Sequence, residues 1–230
     1  MKFFQARQFG HPRRCNPLAF GLSRKSHSFP QANKLKMTAP TQLLPGLRVL
    51  VVGTSGSGKS TFAEKLARAA RIDHLELDQM NWRPGWYDRS IEEPEAFLAD
   101  VAAATSASNW VLAGNYAMTR PTVLPRLTHM VWLDLPLWQV MTQVIRRSLQ
   151  RASSGADVFP GCREDWPRLL EAEHPIRWAL ATHHARRPRY VALSEQIKEQ
   201  GGLVLRCGNH RETEKALQSL VALARSRSAA

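Results

Sequence analysis

The chain has 230 residues, room for one domain or one domain with an insertion, and a core of that size needs no staples. Its 43% hydrophobic, 22% charged and 8% aromatic content excludes disorder throughout, a collagen-like repeat and a disulfide scaffold. A formal net charge of +13 points at first sight to nucleic acid, so its placement decides what it means.

That charge is local. Residues 1–36 carry eight basic residues (Lys2, Arg7, Arg13, Arg14, Arg24, Lys25, Lys34 and Lys36) and no acid. Residues 37–144 set nine basic against ten acidic residues, and residues 145–190 set nine against five. Gly10, Pro12, Pro17, Gly21 and Pro30 interrupt the front segment, so residues 1–46 are expected to be a basic, disordered extension. Three readings of residues 1–36 stand: translation upstream of a start at Met37, a transit leader, or a nucleic-acid-binding or functionless arm. Leu18-Ala19-Phe20 is too short for a signal-peptide core, and no run approaches the roughly 20 apolar residues of a membrane span. Cys15, Cys162 and Cys207 are odd in number and far apart, which points to a reducing, cytoplasmic setting without a zinc site. His183 and His184 are adjacent, diverge by about 100° on a helix, and read as surface residues.

The β-branched run over residues 47–52 predicts a buried strand, and residues 60–71 predict a helix with Phe62 and Leu66 on one face. A second strand is expected over 74–77, ending at Asp78, followed by a loop over 79–90. Pro94 opens a helix that reaches Thr105. Residues 110–112 and 129–135 predict two further strands, and Leu137, Val140, Met141, Val144, Ile145 and Leu149 carry a helix to about Arg151. A fifth strand is expected over 203–205 and a closing helix over 212–224, before a short tail at 226–230. Strands alternating with helices describe a three-layer α/β/α domain over residues 47–225 on a five-stranded parallel sheet. The insert at about 152–200 is expected to hold two helices, over 166–172 and 175–185, and to form a lid over the strand ends. Trp110, Trp132 and Trp138 read as packing residues.

Gly53-Thr54-Ser55-Gly56-Ser57-Gly58-Lys59-Ser60, followed by Thr61, fits G-x-x-x-x-G-K-[ST] between a strand and a helix. Such a loop wraps phosphate in backbone N–H groups at a helix N-terminus, Lys59 reaches the β- and γ-phosphates, and the Ser60 hydroxyl ligates Mg²⁺. ATP and Mg²⁺ are therefore the expected cofactors.

What the phosphate serves is set at the other strand ends. Asp78 either orients a substrate hydroxyl or a metal-bound water, or sits in a turn or cap. Asn115 and Tyr116, after Gly114, read a substrate's polar edge and face or are a plain turn residue and a covered aromatic; Arg120 is counted with them on the acceptor side. Asp134 is a further strand-end carboxylate or the cap of the next helix. Trp82 and Trp86 flank Pro84-Gly85 as a stacking wall or as cover for the core. Arg147 and Arg151 share a helix face at i,i+4, and Arg163 lies inside the insert. Guanidinium groups of this kind stabilise a transferring phosphoryl group, although most such arginines simply face solvent.

From Leu47 to Leu220 the chain resembles the adenylate-kinase-like P-loop proteins known as DNA topology modulation proteins. The resemblance rests on GTSGSGKST, HLELDQMNW with GW following, WVLAGNY, VWLDLP, the RRSLQR helix and GCRE with WALATHHARRPRY. It implies a nucleoside-monophosphate-kinase-like fold with an arginine-bearing lid. It also implies phosphate and Mg²⁺ roles for Lys59 and Ser60, an acceptor side at Asp78 and Asn115, and lid roles for Arg147, Arg151 and Arg163. Two positions depart from the pattern: Ala113 stands where an acid usually precedes Gly-Asn-Tyr, and Cys162 replaces the Asn of Gly-Asn-Arg-Glu. Either Asp78 or Asp134 then serves the metal, or transfer is slow.

These features together predict an ATP-dependent phosphotransferase acting on a small-molecule acceptor, with no membrane and no nucleic-acid partner for the core domain, as a monomer or homodimer. The rival is an ATP-binding regulator with weak ATPase activity that contacts DNA or a protein. Ala113 favours it, the substrate-side strand ends and the lid oppose it, and no helix-turn-helix or other DNA-reading module is apparent.

Overall fold

The structure, a computed structural model, describes residues 46–171 and 174–228. The expectations for residues 1–45, Cys15 included, and for the last two residues lie outside the described residues.

Five strands form one parallel sheet: β1 (Arg48–Gly53), β2 (Asp73–Glu76), β3 (Trp110–Ala113), β4 (His129–Leu133) and β5 (Leu203–Cys207). Their spatial order is β2-β3-β1-β4-β5, so the chain reverses direction across the sheet on either side of β1. Side-chain alternation sorts each strand between two cores. Val49, Val51, Val111, Val131 and Leu133 face helices α1 (Lys59–Ala70) and α5 (His210–Ser228) through Phe62, Leu66, Leu217 and Leu220. Leu50, Val52, Leu112, Met130 and Trp132 face the other side. There Phe97 and Val101 of α2 (Pro94–Ala104) and Tyr190, Leu193 and Ile197 of α4 (Pro175–Glu199) cover them. The predicted three-layer parallel architecture is the observed one.

Helix α3 (Leu137–Ser154) turns Val140, Val144, Ser148 and Ala152 inward, a strict i,i+4 series. Met141 packs beside that series, whereas Ile145 and Leu149 turn outward and Trp138 is 67% exposed and does not pack as expected.

The region after α3 differs from the expected pair of helices. An antiparallel hairpin (Asp157–Phe159 with Cys162–Arg163) and a 3₁₀ turn (Pro167–Leu170) precede α4, which runs unbroken for 25 residues through Pro188. Proline inside a helix costs about 3 kcal/mol locally. Burial of Tyr190, Leu193 and Ile197 beyond it offsets that cost, and places the second half of α4 in the core. Residues 79–90 are likewise more ordered than a loop. A short helix (Leu77–Asn81) leads into a two-stranded hairpin (Trp82–Arg83 with Tyr87–Asp88). Cys162 and Cys207 are buried free thiols.

Candidate active site

β1 ends at Gly53, and the following loop closes on itself through Ser57 N–H to Thr54 O at 3.0 Å before α1 starts at Lys59. Two glycines make that path possible. Gly58 caps α1 at φ 90°, in the left-handed region that other residues avoid. Gly56, at φ 86°, lies so close to α3 that a Cβ there would stand 2.8 Å from Val144 Cβ. Tyr190 steadies the loop from the other side, donating its hydroxyl to Gly53 O at 3.2 Å.

Within this cradle Lys59 donates to Thr54 O at 3.1 Å. Burial pulls its pKa from 10.5 down to about 8; Asp78 opposes the shift, and the cations Arg186 and Arg147 add to it. A buried ammonium with the charges of two guanidinium groups near it is an excess of positive charge that an anion would balance. Of the four buried side-chain polar atoms without a partner among the described residues, two are Ser57 Oγ and Arg147 Nε. Both belong to residues of this region, and an anion bound there would supply the acceptor that Arg147 Nε lacks.

Ser60 is held by a carboxylate of the neighbouring strand. Its hydroxyl donates to Glu76 Oε1 at 2.7 Å, and His74 Nε2 lies 3.3 Å from Glu76 Oε2. Burial raises the Glu76 pKa, the Ser60 hydrogen bond opposes the rise, and the charge of Asp78 adds to it. Glu76 pairs in register with Ala113 across β2 and β3. The acid absent at position 113 is thus present one strand over. Sequence reading missed Glu76 because it took that strand to run one residue further and looked only at the carboxylate beyond it. The register is the signal that finds it. Ser60, Glu76 and Asp78 offer the hard oxygen donors that Mg²⁺ takes alongside phosphate and water. Among the described residues no three His, Cys, Asp or Glu side chains converge on a metal by themselves.

Asp78 lies in the first turn of the short helix after β2, where its Oδ1 accepts the Tyr116 hydroxyl at 2.9 Å. Burial and the adjacent Asp78 charge hold the Tyr116 phenol well above its usual pKa, so it is a donor to Asp78 at any working pH. Asn115 Oδ1 accepts from Arg120 Nε at 3.1 Å. Burial lowers the Arg120 pKa, Tyr190 opposes this, and Arg189 adds to it. Asp78, Asn115, Tyr116 and Arg120 therefore form two linked pairs at the ends of β2 and β3.

The arginines separate by surroundings. Arg147 is the one whose charge reaches Lys59, Glu76 and Asp78, and burial lowers its pKa. Arg151 is 3.5 Å from Glu164, and Arg163 is exposed and paired with Asp157 at 3.0 Å. The hairpin carrying Arg163 is clipped to the loop carrying the tryptophans. Trp86 donates its indole N–H to Arg163 O at 3.2 Å, stacks edge-on with Trp82 and Phe159, and lies 3.9 Å under the Arg168 guanidinium. Gly85 N–H donates to Gly161 O at 3.1 Å, and Cys162 Sγ to Arg83 O at 3.1 Å. Trp86, with Trp82 against it, therefore joins the insert to the loop that follows β2.

On the opposite flank, a cleft of about 550 Å³ opens at the ends of β4 and β5, between Asp134, Pro136, His184 and Gly208. Asp134 pairs there with Arg206 at 2.9 Å and Arg187 at 3.2 Å. It neither caps α3, whose N-cap is Pro136, nor sits with Ser60. His183 is not a plain surface residue, since its Nδ1 lies 3.1 Å from the Thr54 hydroxyl in the phosphate loop. No described helix is long and apolar enough to cross a membrane.

No family model matches the chain. A shikimate kinase of Corynebacterium glutamicum is 28% identical over 148 residues, covering 60% of this chain and 85% of that protein. Solved structures with a related outline include shikimate kinase from Acinetobacter baumannii in complex with shikimate, at 18% identity and TM-score 0.46, covering 80% of this chain and 94% of that one. A gluconokinase from Sinorhizobium meliloti 1021 matches at 17% identity and TM-score 0.44, covering 80% and 97%. The chain is similar to each of these, and none of the three is a DNA topology modulation protein.

Proposed function

We propose that the protein is an ATP-dependent kinase that phosphorylates a hydroxyl of a small anionic acceptor. The observation that carries this reading is the bonded set at the mouth of the phosphate loop, Lys59 on Thr54 O, Ser60 on Glu76 and Tyr116 on Asp78, beside the buried unpartnered Nε of Arg147. The loop would hold the β- and γ-phosphates, with the cleft beside β4 and β5 taking the base and ribose. Strands are about 4.8 Å apart, so that cleft lies one to two strand spacings from the phosphates, as a nucleotide's length requires. Ser60 and Glu76 would hold Mg²⁺, which when bound offsets phosphate charge. Asp78 is the general base. Tyr116 fixes one of its oxygens; the other takes the proton of the acceptor's hydroxyl while the acceptor's oxygen bonds to the γ-phosphorus and the bond from that phosphorus to ADP breaks. Lys59 and Arg147 neutralise the charge on the moving phosphoryl group.

Arg120 sets the acceptor class. Its recorded partner is a neutral amide, its near neighbour Arg189 is a like charge, and no carboxylate among the described residues pairs with it. A carboxylate or phosphate on the acceptor would satisfy it. The regulator reading loses its main support, because Glu76 stands beside Ala113. The test is Asp78→Asn. ATP binding stays within about twofold while turnover falls by roughly 10²–10⁴, and unchanged turnover sinks the mechanism.

A further inference from the structure

Below the transfer centre a buried hydrogen-bonded chain ties the start of α4 to an arginine of α3. The His174 side chain is 0% exposed and that of Glu164 is 3% exposed. His174 is the N-cap of α4, and its Nδ1 accepts the Ile176 amide at 3.2 Å. An accepting Nδ1 carries no proton, so Nε2 carries it and donates to Glu164 Oε1 at 2.7 Å. The other carboxylate oxygen faces Arg151 Nη1 at 3.5 Å. Arg151 stands one turn beyond Arg147 on α3, and the two like charges repel across that turn. Glu164 acts on both: it pairs with Arg151, and its charge favours the charged form of Arg147. A buried pair of this kind adds little stability over apolar packing of equal volume, so what it supplies is geometry.

We propose that Glu164, oriented by His174, is a positioning residue that neutralises Arg151 and so keeps Arg147 extended toward Lys59 and Asp78. The inference rests on the kinase reading above. It assigns the pair a role in the reaction, although neither residue lies at the phosphate loop. It also makes α4 the reference for α3, because the His174 cap is part of α4 itself.

The discriminating variant is Glu164→Gln, which keeps an acceptor for His174 Nε2–H and the same shape but removes the charge. Mg·ADP titration and acceptor-free hydrolysis of Mg·ATP are read on the full chain. The expected result is Mg·ADP affinity within about twofold of wild type, with hydrolysis at least about tenfold slower. In an Arg151→Met background the same change has no further effect, because the charge it offsets is gone. His174→Asn keeps a capping acceptor for the Ile176 amide but is too short to reach Glu164, so it slows hydrolysis as Glu164→Gln does and, by leaving a buried carboxylate short of a partner, also lowers the melting temperature. A Glu164→Gln protein at the wild-type rate overturns the proposal. So does a tenfold loss in both backgrounds, which marks a role independent of Arg151. Loss of all hydrolysis in Arg151→Met alone overturns it as well, since Arg151 would then meet the phosphate directly. Wild-type protein that fails to bind Mg·ADP overturns the kinase reading itself, whereas normal binding with an indifferent Glu164→Gln overturns this inference alone.

Discussion

Replacing Lys59 by Met should make the nucleotide-free protein more stable while removing its function. Burial, with Arg186 and Arg147 adding to it against Asp78, lowers the Lys59 pKa from 10.5 to about 8. A fall of that size means that the folded site disfavours the ammonium by about 3 kcal/mol at pH 7. Met removes that penalty and forfeits the hydrogen bond to Thr54 O, worth about 1 kcal/mol. The net gain is about 2 kcal/mol, or roughly 4–8 °C in melting temperature for a domain of this size. The sign follows from proton linkage. Below pH 8 the lysine is charged in both folded and unfolded chains and the penalty is complete. Between about pH 8 and 10.5 the unfolded chain keeps a proton that the folded chain has released, so wild-type stability climbs and the gap closes. With Mg·ATP at pH 7 the order reverses, because only the wild type gains from ligand binding. Thermal melts of both proteins at pH 7 and pH 10, with and without nucleotide, measure all of this. A Lys59→Met protein less stable than wild type at pH 7 without nucleotide refutes the reasoning.

Three further outcomes follow from the same geometry. Nucleotide binding at pH 8.5 should take up protons onto Lys59, seen as a binding heat that varies with the buffer; at pH 6.5, and in Lys59→Met, that dependence vanishes. Gly56→Ala forces a Cβ to 2.8 Å from Val144 Cβ and 3.0 Å from Val140 O at φ 86°, and should lower stability by about 2–3 kcal/mol in urea unfolding. Glu76→Gln should raise the Mg²⁺ concentration for half-maximal turnover by roughly 10–100-fold, because the carboxylate bonded to Ser60 loses its charge.

Much of this was legible in the sequence. The β-branched runs and the helix periodicities mark the sheet and its layers, and the phosphate loop is recognisable from eight residues between strand and helix. Glu76 was not legible, because its meaning lies in a pairing: only the register of β2 on β3 brings it beside Ala113. Pro188 reads locally as a helix end, yet burial of Tyr190, Leu193 and Ile197 carries α4 through it. Trp138 reads as core by its chemistry, and the i,i+4 series Val140, Val144, Ser148 turns it to solvent. The clip between Trp86 and Arg163 joins residues 77 positions apart, beyond the reach of any local pattern.

Transfer itself is the central claim, and ³¹P spectroscopy tests it most directly. Mg·ATP is incubated with the protein and a panel of neutral polyols, hydroxy acids and phosphorylated polyols. The account predicts a phosphate-ester signal growing in step with ADP for at least one anionic acceptor, lost in Asp78→Asn and weakened in Arg120→Ala. Inorganic phosphate as the sole product across the panel, or an ester that forms equally well without Asp78, would contradict it.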